Sequence, residues 1–126
     1  ALHRVNTAWG EAATNGGIGV GFPATTGDAT WAEAVSGSIA WTTAGGDFVA
    51  TPRATTSVGG VGTYTWSGAN LVSDVQGWLG TPSGNHGWIL RSAEVSGVRS
   101  AKVFGSREAP VSAERPRLNL TYRPAL

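Results

Sequence analysis

The sequence predicts an all-β chain, an antiparallel jelly-roll-like β-sandwich carrying one short helix, and three observations lead there. Nineteen glycines stand among abundant Thr and Ser, with only 13% of residues charged, which suits many short strands joined by tight turns. Apolar residues alternate in short runs along most of the chain, without a strand–helix–strand rhythm. The helical period occurs once, over residues 71–79, where Leu71, Val72, Val75, Trp78 and Leu79 recur on one face. That lone helix is expected to lie across one end of the sandwich.

Residues 2–9 alternate as a strand, with His3, Val5, Thr7 and Trp9 facing one way and Leu2, Arg4, Asn6 and Ala8 the other. Residues 11–27 form a Gly-rich surface loop. A phosphate-binding loop would need a buried strand before it, a helix after it and usually a lysine, and this stretch has none of them. Residues 28–41, with Trp31, Val35, Ile39 and Trp41 as apolar positions, read as a short strand or turn of helix and then a second strand. Residues 43–47 are a turn, 48–50 and 57–58 are brief strands separated by Pro52, and 59–62 turn the chain into a strand at 63–66. Asn70 is placed to cap the helix and Gly80 with Thr81-Pro82 to stop it; Asp74 is expected on the polar side near its positive end. A turn over 82–85 leads to a strand at 88–90, and further strands are expected at 99–104 and 118–122. In the last, Leu118, Leu120 and Tyr122 should point inward and Arg117, Asn119, Thr121 and Arg123 outward, with Pro116 at the strand start.

The 126 residues are enough for one domain with its own core, and the sequence is read as a single β-sandwich over 1–126. Without cysteine there are no disulfides, thiolate metal sites or thiol nucleophiles. The formal net charge of +1 makes no electrostatic case for nucleic acid. Basic residues gather towards the C-terminus, but Glu94, Glu108 and Glu114 are interspersed among them, as on a mixed-sign outer face. No apolar run is long enough to span a membrane. Lys102 is the single lysine beside eight arginines, and this low-charge Thr/Ser/Gly surface leans towards an extracellular or cell-surface location.

No catalytic constellation is present: there is no Gly-x-Ser-x-Gly elbow and no signature of paired carboxylates. His3 and His86 are isolated imidazoles without the spacing of a zinc site. Asp28 and Asp47, with Glu33, could join backbone carbonyls around a structural Ca²⁺, the one cofactor the sequence suggests, although calcium-loop spacing is missing. The six tryptophans are the strongest functional signal. Trp66, Trp78 and Trp88 lie on apolar faces and are expected in the core, whereas Trp9, Trp31 and Trp41 flank loops and could stack on sugar rings. Arg107-Glu108 and Glu114-Arg115 read as ion pairing that fixes the last loop.

Leu2-His3-Arg4-Val5 followed by Trp9-Gly10-Glu11, then Gly27-Asp28-Ala29-Thr30-Trp31, resembles bacterial DNRLRE-type domains. Further matching motifs are Trp41 with Gly45-Gly46-Asp47-Phe48, Asn85-His86-Gly87-Trp88, Phe104-Gly105-Ser106-Arg107-Glu108, and Arg115-Pro116-Arg117-Leu118 ending in Thr121-Tyr122. The resemblance implies a secreted or surface-attached, non-catalytic module, with some relatives classed as carbohydrate-binding modules. It also implies further strands ahead of Leu2, so residues 1–126 are expected to be a family domain without its N-terminal strands. The expected role is therefore a structural subunit of a surface assembly or filament, self-associated or completed by a strand from a neighbouring chain. The alternative is a module that binds polysaccharide through exposed tryptophans.

Overall fold

Helix α1 spans Ala69–Gly80 in the computed structural model, which describes residues 1–12, 14, 22–93, 96–97 and 101–124. Leu71, Val75 and Trp78 line its inner face and are half-buried. Asp74 falls on the same i, i+3, i+4, i+7 stripe and is only 1% exposed, so it lies inward and not on the polar side. Gly68, not Asn70, holds the N-cap position, without a side-chain cap; Asn70 instead donates through Nδ2 to the Pro52 carbonyl at 3.4 Å. The Thr81 N–H closes the last turn on Gly77 O at 3.0 Å, and Pro82 then starts a 3-10 turn over Pro82–Gly84.

Strands β1 (Leu2–Arg4) and β4 (Trp88–Leu90) pair antiparallel, with Leu2 opposite Leu90, His3 opposite Ile89 and Arg4 opposite Trp88. The opposite edge of β1 is met by residues 48–54: Leu2 N–H donates to Ala54 O, and Arg53 and Val49 N–H donate to the carbonyls of Leu2 and Arg4, all at 2.8–2.9 Å. His3 and Phe48 meet edge-on at 5.0 Å, and the Arg91 guanidinium lies 4.4 Å over the Phe48 ring. The second sheet is the hairpin of β2 (Glu33–Val35) and β3 (Ile39–Ala40), with a register shift between Glu33 and Val35. Gly10 is clasped against this hairpin, donating to Ala34 O at 2.8 Å and accepting from Ala29 N–H at 2.9 Å. A β-carbon at Gly10 would lie 1.9 Å from the Gly27 carbonyl oxygen, so only glycine fits there.

The expected jelly-roll-like sandwich is not what forms. The sheets are two pairs of strands two or three residues long, beside a 12-residue helix. The strand expected over residues 2–9 is regular only for Leu2–Arg4, with an isolated bridge from Val5 to Phe48. Residues 57–58, 63–66 and 118–122 join no ladder among the described residues, and Leu118, Leu120 and Tyr122 are exposed instead of inward. Alternation says which way side chains would point if a strand formed, but a ladder also needs a partner in register. The middle of the expected 11–27 loop and the start of the 99–104 strand lie outside the described residues.

The chain forms two compact units, Ala1–Ser96 and Gly97–Leu126. In the second, a 3-10 turn at Ser112–Glu114 and the Arg115 Nε–H bond to Ala109 O, 2.7 Å, fold the backbone around buried Ala109. Among the described residues of the first, the buried apolar side chains are Val5, Ala34 and Ala54, and the largest fully buried side chain is Asp74.

Three segments converge on that carboxylate. Arg53 grips it with two bonds, Nε to Oδ2 at 2.9 Å and Nη2 to Oδ1 at 2.7 Å. Trp88 Nε1 donates to Oδ2 at 2.9 Å, and Arg4 Nη1 approaches Oδ1 at 3.5 Å. Removing one partner of a buried, hydrogen-bonded ion pair costs about 3–5 kcal/mol because the other charge is left without compensation. Asp74→Ala is therefore expected to lose that much unfolding free energy in a urea titration. An unchanged denaturation midpoint would show that the pair does not hold the unit together.

Candidate functional site

Next to the Asp74 pair, β1 and the residues after it face the end of α1 across an open groove of about 290 Å³. Arg4, Val5 and Asn6 line one wall, Gly77 and Trp78 the other, with Thr81, Gly84 and His86 at the end. The β1–β4 register sets Arg4 beside Trp88 on the helix-facing side of the sheet. Trp78 packs on Trp88 with ring centroids 4.6 Å apart and planes at 54°. Arg53 reaches both oxygens of the Asp74 carboxylate, while Arg4 sits farther off with 40% of its side chain exposed. Two guanidiniums around one carboxylate leave net positive charge beside the groove. The lining thus combines an aromatic face, a cation and amide and imidazole polar groups, a chemistry of recognition.

Trp9 stands at the same end, its Nε1–H bonded to the His86 carbonyl at 2.9 Å, and is 46% exposed. Trp31 is 63% exposed and lies against the Gly45 backbone. There φ is +93° and a β-carbon would come within 2.7 Å of the indole, so the stacking depends on glycine. Trp41 is half-buried, and its Nε1–H donates to Thr30 O at 2.9 Å. Trp31 and Trp41 thus flank the β2–β3 hairpin, while Trp9 is tied to the turn at His86. Trp66, Trp78 and Trp88, expected in the core, are half-buried.

Asp28 and Asp47 are both drawn into loop hydrogen bonding. Asp28 accepts the Thr14 hydroxyl, the Thr25 N–H at 2.7 Å and the Ala12 N–H at 3.2 Å. Asp47 accepts the N–H groups of Thr42 and Thr43 at 2.9 and 3.0 Å and the Thr7 hydroxyl at 3.4 Å. A Ca²⁺ at either carboxylate would have to displace N–H donors that face it. Among the described residues, no three His, Cys, Asp or Glu side chains cluster closely enough to hold a metal ion. Arg107 and Glu108 pair at 2.8 Å but are 70% and 64% exposed, an arrangement that contributes about 0–1 kcal/mol.

Local sequence patterns do not mark Arg4, Asn6 and Arg53, and Asp74 lies inward and not on the polar side expected for it. One signal for Asp74 was present: with the helix phased on Leu71, Val75 and Trp78, residue 74 falls inside the apolar stripe, where a carboxylate needs a cationic partner.

The Asp28 carboxyl is held below the usual carboxylate range first by the Thr14 hydroxyl and next by the Thr25 N–H. Asp47 is lowered chiefly by the Thr42 N–H. A pKa lower in the folded than in the unfolded chain gives stability that is present above the unfolded value and lost as pH falls through the folded one. Thermal stability should therefore fall below about pH 4, and less steeply in Asp28→Asn and Asp47→Asn. Melting curves at neutral and acid pH check this, and identical acid slopes for wild type and both variants would refute it. No helix of the described residues is long and apolar enough to cross a membrane. Compared with family models, curated proteins and solved structures, the chain matches none.

Proposed function

We propose that this chain is a non-catalytic structural module of the cell surface or extracellular space that works by associating with copies of itself or with a neighbouring chain. One observation carries the reading. Among the described residues four apolar side chains are buried, three of them alanine, while fourteen large apolar side chains are exposed. Large contiguous apolar patches are rare on monomeric soluble domains, and where exposed apolar side chains gather into one they mark sites of association. The low-charge, Lys-poor composition and the resemblance to DNRLRE-type domains favour the same reading. The test is sedimentation of the intact chain over a wide concentration range. Concentration-dependent oligomers are expected, and a monomer at every concentration would remove the proposal.

A second reading, polysaccharide binding, is favoured by the groove of Arg4, Asn6, Trp78 and His86 with the exposed Trp9 on its rim. A sugar stacked on an indole and hydrogen-bonded by a guanidinium and an amide would perturb tryptophan emission. Titration with a panel of oligosaccharides should change the fluorescence. Arg4→Ala should weaken binding about tenfold, equivalent to ~1.4 kcal/mol. Emission indifferent to every oligosaccharide in the panel would remove this reading.

A further inference from the structure

Among the described residues, nothing pairs with strand β4 along the edge away from β1. The bonds of β1 identify that edge. Leu2 and Arg4 direct their backbone groups to residues 49–54, and Leu2 and Arg4 stand opposite Leu90 and Trp88. In an antiparallel ladder such opposite residues both point their N–H and C=O groups out of the pair. The bonded pairs on the inner side agree, since Ala1 and Arg91 exchange both bonds and Val5 N–H donates to Gly87 O. Trp88 and Leu90 therefore present two N–H and two C=O groups on the outer edge, where no strand lies among the described residues. Leu90 is also exposed. Unprotected edges of this kind accept another chain.

The chain carries a segment of matching character. Residues 117–123 alternate strictly, with Leu118, Leu120 and Tyr122 set between Arg117, Asn119, Thr121 and Arg123. The three apolar side chains are 57–82% exposed and belong to no strand. Period-2 alternation has no use in an isolated segment, whereas beside an edge strand it places one row of side chains on the sheet face and the other in solvent.

We propose that residues 118–122 of one copy add as a strand to the outer edge of β4 in a second copy. The inference rests on the self-association reading above and names its contact. The added strand takes the four free backbone groups of Trp88 and Leu90. Leu118, Leu120 and Tyr122 then extend the helix-facing side of the sheet beside Leu90, and the arginines stay in water. Donor and acceptor surfaces differ, so the contact is head-to-tail and propagates from copy to copy unless the rotation closes a ring.

The absence of cysteine makes the contact directly testable. Full-length Leu90→Cys and Leu120→Cys chains are mixed and oxidised, with Ile39→Cys, an exposed position on the other sheet, replacing Leu90→Cys as the control. The proposal expects the Leu90→Cys/Leu120→Cys heterodisulfide to exceed the Ile39→Cys/Leu120→Cys product about tenfold, because only paired strands bring Cα atoms within the ~4.4–6.8 Å that a disulfide spans. It also expects Leu90→Pro, whose lost N–H points away from β1, to dissociate the oligomer while leaving the far-ultraviolet spectrum unchanged. Equal yields in the two mixtures, or a disulfide formed within a single Leu90→Cys/Leu120→Cys chain, would overturn it. If oligomers persist alongside either result, the contact fails and the self-association reading stands; a wild-type chain that is monomeric throughout ends both.

Discussion

The Asp74 carboxylate is the constraint on which the first unit is built, because a buried charge must be matched wherever the chain places it. Asp74 belongs to α1, Arg4 to β1, Arg53 to the segment bridged to β1, and Trp88 to β4. All four are separated in sequence and meet at one carboxylate. The β1–β4 register follows the same requirement. With Arg4 directly opposite Trp88, both side chains emerge on the helix side and reach Asp74. A slip of one residue would leave Arg4 and Trp88 on opposite faces, and only one of them could then reach Asp74. Fully buried apolar side chains contribute little to this arrangement, since among the described residues most of them are alanines, each of which removes little area from water.

The loops rely on the same chemistry on a smaller scale. Asp28 and Asp47 each gather backbone N–H groups that would otherwise lie without protein partners, and each ties a loop to a distant segment: Asp28 to Ala12 and Thr14, Asp47 to Thr7. Such bonds hold irregular backbone where ladders are short. They also explain why the acidic residues that suggested a cation site serve as acceptors for the chain itself. An N–H-facing carboxylate is an anchor for loops, and a cation needs oxygens in those positions.

The proposed recognition groove and the proposed association edge lie on different parts of the first unit. The groove lies on the helix side, where Trp78 and Arg4 flank the ion pair, while the open backbone edge runs along β4. Trp88 links the two. Its indole donates to Asp74, its ring packs on Trp78 and its main chain belongs to the open edge. A strand added there would continue a sheet that the ion pair already orients, so little new order would be required on the acceptor side.

The alternating runs point to a sandwich because alternation reports only the local preference of a segment. The helical period around Leu71–Trp78, the Gly80-Thr81-Pro82 stop and the Gly-rich turn before Asp47 were legible, since their physics is contained within a few neighbouring residues. The groove was not, because Arg4 and Trp78 lie far apart in sequence and only strand register brings them together. Asp74 was half legible: its place on the apolar stripe was readable, its partners Arg53 and Trp88 were not. The sequence by itself determined where the chain bends, where it coils into a helix and which short runs alternate. Only the tertiary structure decided which of those runs acquire a partner, because a ladder and a buried ion pair depend on a second segment whose identity no local pattern encodes.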